Sequence, residues 1–156
     1  MSSQAVAAYL AQALRLGFFP GFSGRYWTDR GAQERDRPLF RRYIPLIRES
    51  TEAGWRPVPA AVASNAAISV ERFDSEKGGV FYLTASNNGS SRAEFRLTVD
   101  SNRLKLKSGR SEVQDLLRAR AVTAEWRDGN LEFADSLDPG EVTLYRISAE
   151  RTAAGN

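Results

Sequence analysis

The chain has 156 residues, a net charge of +3, 42% apolar and 26% charged side chains. That suits one compact domain with a helical prefix, and it lacks the dense basic stripe of a nucleic-acid binder. There is no cysteine and no histidine, which excludes disulfides, thiolate nucleophiles, cysteine- or histidine-ligated metals and any Ser-His-Asp triad.

In chain order, residues 3–16 read as a helix. Val6, Leu10, Ala13 and Leu14 fall at helical spacing, Ser2 or Ser3 can cap the start, and Gly17 suits the left-handed position past the last turn. Residues 17–27, GFFPGFSGRYW, crowd Phe18, Phe19, Phe22, Tyr26 and Trp27 among glycines and a proline, a composition that fits neither a regular helix nor a strand. Asp36 is placed to cap a second helix, with Pro38 in its first turn and Leu39, Phe40, Tyr43, Ile44 and Ile47 on its apolar face; Pro45 is expected to kink or split it. Gly54 ends that element, and Trp55 opens an extended segment pinned by Pro57 and Pro59.

From Ile68 onward the period changes to two. Residues 80–84 and 93–99 read as strands, and Asn87-Asn88-Gly89 between them signals a hairpin. Residues 121–126 and 131–133 flank the hairpin turn Asp128-Gly129-Asn130, and Asp138-Pro139-Gly140 precedes a last strand over 142–147. Leu104 and Leu106 suggest a short strand, while residues 112–117 suit a strand or a helical turn. The fold class is therefore α+β: two N-terminal helices packed on a C-terminal antiparallel β-sandwich of about seven or eight strands. The expected division is a helical segment at 1–57, the sandwich at 58–149 and a frayed tail at 150–156.

The order helix, aromatic Gly-Pro loop, helix, Ala53-Gly54-Trp55 and terminal sandwich resembles the C-terminal end of glycoside hydrolases whose catalytic (β/α)8 barrel is followed by a β-sandwich. The residues that carry the likeness are Leu16 to Phe22, Glu34-Arg35-Asp36-Arg37, Val70-Glu71-Arg72-Phe73, Val113 to Leu117 and the Pro139-Gly140-Glu141-Val142 stretch. A barrel needs about 200 residues or more, so the resemblance implies an ancillary portion whose catalytic barrel lies outside these residues. It further implies that Phe18, Phe19, Phe22 and Trp55 pack between domains. The partner is then the barrel; without it the chain is expected either to self-associate through a helical face where Val6, Leu10 and the phenylalanines stay exposed, or to fold its helices onto the sandwich differently.

Sugars stack on aromatic rings, so Tyr26, Trp27 and Trp126 are the candidate carbohydrate contacts, either in that role or in a free-standing carbohydrate-binding module. Glycoside hydrolysis usually needs two facing carboxylates. Asp29, Glu34, Asp36 and Glu71 are available, but no pattern pairs them, and no catalytic residue is assigned. The arginines at 35, 37, 41, 42 and 48 are interleaved with acids and read as a solvated helix face with local ion pairs. Asp100, Asn102, Asp138 and Glu141 could hold calcium only at an unspecific spacing, so no metal and no cofactor is expected. The N-terminus lacks a basic-then-apolar leader and no run is long enough to span a bilayer. The expectation is a soluble protein with no signal peptide, no membrane partner and no nucleic-acid partner.

Overall fold

The computed structural model describes residues 1–22, 24–76 and 78–152, apart from the side chains of Arg25 and Trp27. Helix α1 (Ser3–Leu16) has the bounds its pattern predicts: Ser2 accepts from Ala5 N–H, and Gly17 turns the chain at φ 67°. A 3-10 turn (Gly24–Thr28) leads into α2 (Arg30–Ala53). The second helix starts earlier than expected, because Asp29 and not Asp36 caps it, accepting from Ala32 N–H at 3.0 Å. Pro38 and Pro45 both lie inside this helix and both are exposed, so water can serve the carbonyls they leave unpaired and the helix continues through them.

The strands are β1 (Trp55–Arg56), β2 (Ala61–Ala63), β3 (Ile68–Phe73), β4 (Val80–Asn87), β5 (Ala93–Val99), β6 (Leu106–Asp115), β7 (Arg120–Val122), β8 (Ala124–Arg127), β9 (Asn130–Leu137) and β10 (Val142–Arg151); a single turn, α3 (Ser101–Leu104), precedes β6. They form two antiparallel sheets, ordered β1-β3-β4-β10-β6-β7 and β2-β5-β9-β8. Asn87-Asn88-Gly89 is not a hairpin. Strand β4 already pairs with β3 on one side and β10 on the other, so β5 has no free edge beside it and crosses to the second sheet. The Asn87 side chain fixes that crossing, donating to the carbonyls of Ser91 (2.8 Å) and Leu137 (2.9 Å) and accepting from Gly89 N–H (2.8 Å). Residues 121–126 divide in the same way, β7 closing one sheet and β8 opening the other. The Asp128-Gly129 turn is a true two-residue hairpin, with both residues at positive φ.

The six-stranded sheet is the middle of three layers. Phe81, Leu83, Ala85, Tyr145 and Ile147 face the small sheet's Phe95, Leu97, Leu131 and Phe133. The alternate residues Tyr82, Val142 and Leu144, with Phe73, meet Val6, Leu10, Leu14 and Ile47 of the helices. This overturns the expectation that Val6 and Leu10 are exposed: both are fully buried, because the helices lie on the outer face of the sandwich and seal it. Strand β10 continues to Arg151, held there by two hydrogen bonds to Asp74 (2.9 and 2.8 Å).

Candidate functional site

Aromatic side chains of the 17–27 loop separate into two groups. Phe22 and Tyr26 turn inward: their rings stack at 4.9 Å between centroids, Phe40 packs 5.2 Å from Phe22, and Tyr9 meets Phe22 edge-on at 5.1 Å. Tyr26 is buried, and its hydroxyl donates to Asp36 Oδ2 at 3.2 Å. Burial, and then that bond, push the Tyr26 hydroxyl above its ordinary pKa. Its ring thus belongs to the helical layer, with Phe22 against one face. Phe18 and Phe19 turn outward, 37% and 71% exposed, as does Leu16 at 47%, while Pro20 is buried. Together they make an apolar edge at the end of α1. The Trp27 side chain lies outside the described residues.

The other two tryptophans lie away from this loop in the topology. Trp55 sits on the edge strand β1, 53% exposed, its indole N–H donating to Glu71 at 3.0 Å. Trp126 is half-buried against the sandwich core on the edge strand β8, and its indole N–H donates to the Gly109 carbonyl at 2.7 Å. The structure therefore brings Phe22 and Tyr26 together, places Phe18 against Tyr9 at their margin, and leaves Trp55 and Trp126 on separate sheet edges.

Every candidate carboxylate has protein partners. Asp29 caps α2, Glu34 pairs with Arg37 on the exposed helix face, and Glu71 holds Trp55. Asp36 is fully buried and takes Ser3 Oγ at 2.6 Å, Tyr26 OH, and Arg35 at 2.9 and 2.7 Å. The Arg35 guanidinium first, then Ser3 and Tyr26, hold its carboxyl well below the ordinary range in spite of burial. Its role is thus a tie between α1, the loop and α2 rather than a helix cap. Asp100 caps α3, Asp138 pairs with Arg92, and Glu141 accepts from Arg118 and from Asp138 N–H. Among the described residues no group of acids is arranged to hold a metal ion.

A larger polar network had no local signal in the sequence. Asp135 accepts from Tyr145 OH (2.6 Å), Arg120 (2.6 Å), Arg118 and its neighbour Ser136 N–H. Buried Asp115 takes Thr143 Oγ1 at 2.6 Å, and Arg118 bridges onward to Glu141 at 2.8 Å. Burial alone would raise Asp135, but these donors, led by Tyr145, hold it below its ordinary value; burial and then Asp135 drive the Tyr145 hydroxyl far up. Asp115, Arg118 and Tyr145 belong to the large sheet or its β6–β7 turn and Asp135 to the small one, so the network clamps the sheets together at this end.

No protein-family model and no curated protein matches the chain by sequence. Solved structures do match in fold. α-Galactosidase I from Mortierella vinacea superposes with a TM-score of 0.61 at 17% identity, covering 97% of this chain and 38% of that one. A GH27 β-L-arabinopyranosidase from Geobacillus stearothermophilus gives 0.53 at 13% identity, covering 100% and 32%. The fold is shared with part of glycoside hydrolases. This chain spans about a third of the length of those enzymes, the partial overlap that the resemblance to the end of a barrel-plus-sandwich glycoside hydrolase implies.

Proposed function

We propose that this chain forms the ancillary C-terminal portion of a glycoside hydrolase and braces a catalytic barrel that supplies the reacting carboxylates. The observation that carries this reading is the match of nearly the whole chain to only a third of larger glycoside hydrolases. Two further facts support it: its candidate carboxylates are spent on arginines, caps and indoles, and an apolar edge of Leu16, Phe18 and Phe19 faces outward. In this role the edge packs on the barrel, and Trp55 lies at a second seam. Without the barrel the same edge drives self-association.

Light scattering on the purified 156-residue chain tests this together with aryl-glycoside turnover. The expected result is no turnover, and association that Phe18→Ser/Phe19→Ser abolishes. Turnover lost on replacing one carboxylate overturns the reading. A glycan-binding module is the second reading, favoured by the half-exposed Trp55 ring that Glu71 holds in one orientation. Glycan titration of Trp55→Ala and Trp126→Ala separates the two: binding lost with either ring supports the module.

A further inference from the structure

A groove of about 1020 Å³ opens at one end of the middle sheet, between Glu76, Gly78 and Gly79, residues 103–105 just before β6, and residues 148–152 at the end of β10. Among the described residues five cationic side chains line it: Arg72, Arg103, Lys105, Arg110 and Arg151. Glu76, Glu112 and Glu150 are the acids among them, so the described wall carries two more positive charges than negative ones.

The cations are unequally employed. Arg72 and Arg151 rest on buried Asp74, at 3.0 and 2.8 Å, and Arg110 pairs with Glu112 at 3.1 Å. Arg103 and Lys105 make no ion pair among the described residues. Deeper in, Arg151 Nε is buried with no hydrogen-bond partner, while Nη2 of the same guanidinium donates to both Asp74 oxygens. A buried donor without an acceptor is costly unless something outside the chain completes it.

The rim is built with some strain. Glu76 and Lys105 hold left-handed backbone at φ 60° and 54°, a conformation that L side chains adopt at a cost, and Gly78 joins them at 83°. Hydrogen bonds pin both non-glycine positions: Asp74 Oδ1 accepts from Glu76 N–H at 2.7 Å, and the Lys105 carbonyl accepts from Thr152 N–H at 2.7 Å. Burial lowers the Arg72 pKa in spite of Asp74, so negative charge brought into the groove is favourable there.

We propose that this groove binds an oxyanion, the phosphate, sulfate or carboxylate group of a small molecule, which Arg103 and Lys105 contact at the mouth and Arg151 Nε–H meets at the floor. This is independent of the barrel reading, since none of Leu16, Phe18 and Phe19 lines the groove. The test titrates the full chain with pyrophosphate and, separately, with digalacturonate, following backbone amide shifts by NMR. The expected result is saturable binding of at least one probe, with shifts centred on Glu76, Lys105 and Thr152. Arg103→Gln/Lys105→Gln should weaken that binding roughly tenfold, whereas the charge-matched, exposed Arg48→Gln/Arg127→Gln leaves it unchanged. Pyrophosphate alone binding marks a phosphate-type ligand and digalacturonate alone a carboxylated sugar; either supports the site. The proposal is overturned if neither probe saturates, if the shifts centre elsewhere, or if the control pair weakens binding equally.

Discussion

Replacing Asp36 with alanine probes the tie that holds the helical layer together. The carboxylate is fully buried and serves three donors: Ser3, Tyr26 and Arg35. Arg35 is 46% exposed and can rehydrate once its partner is gone, so its share is small. Tyr26 cannot: its hydroxyl is buried among aromatic rings and would lose a charged acceptor, and Ser3 loses a 2.6 Å bond. Hydrogen bonds to charged groups contribute about 1.5–3 kcal/mol each, which puts the two together, with partial relaxation, at about 3 kcal/mol. For an unfolding slope of about 2 kcal/mol/M the urea midpoint should fall by about 1.5 M. Glu34→Ala, two residues away and exposed, should move it by less than about 0.3 M. A double-mutant cycle with Tyr26→Phe should give coupling above about 1 kcal/mol. An Asp36→Ala midpoint equal to that of Glu34→Ala, or additive behaviour in the cycle, would show that the buried bonds do not hold the loop to the helices.

Gly17→Ala should lower stability by about 2–4 kcal/mol in thermal melts, because φ is +67° and the new Cβ would lie within 2.8 Å of Phe73 Cζ; Gly21→Ala, with open space and no positive φ, should be near neutral. Tyr145→Phe removes a 2.6 Å bond to Asp135 and should cost about 1–2 kcal/mol in urea unfolding while raising the Asp135 carboxyl toward its ordinary value. Stability should be flat from about pH 5 to 8, since there is no histidine to titrate. Asp36 and Asp135 are held low in the folded chain, so the unfolded state takes up protons first and stability should fall below about pH 4. The tyrosines at 26, 82 and 145 are held high, so the unfolded state loses protons first and stability should fall again above about pH 10; denaturation midpoints across pH check both limbs. A chain lacking residues 1–53 should fail to give a cooperative melt, because Tyr82, Val142 and Leu144 would face water.

What could be read from the sequence was whatever depends on neighbours along the chain. Helix α1 carries its own stripe and both caps, and β5 carries its own alternation, so both have the bounds the pattern gives. The Asp128-Gly129 turn needs only two left-handed residues. The Asn87-Asn88-Gly89 signal misled because turn chemistry sets a reversal but not which sheet the next strand joins; that is decided by β10, which occupies the edge of β4 from some sixty residues further on. Asp36 was legible in one respect. Ala32, Asp36, Tyr43, Ile47 and Ser50 are the buried positions of α2 and share one helical face, so treating Asp36 as a cap meant ignoring a polar residue in the middle of an apolar stripe. Tyr26 is buried with its hydroxyl on that same carboxylate, a contact that joins the loop to mid-helix and that no local pattern records. The Asp115–Asp135–Tyr145 network joins a turn and four strands, a spacing that no motif records.

The middle sheet decides how the chain divides. Strand β4 is buried on both faces nearly throughout, one set of alternate side chains in each core. A strand with both faces apolar needs a layer on either side, so the helices at 1–53 are the third layer of the sandwich and share its core. The segment whose sequence resembles the end of a barrel is therefore bound to the sheet by its apolar stripe, while the residues between its two helices carry the outward Phe18 and Phe19. A partner at that edge would meet a surface fixed from behind by Gly17 against Phe73 and by Asp36 across the helices. Little backbone order would then have to be gained on docking there, which lowers the cost of any contact this edge makes.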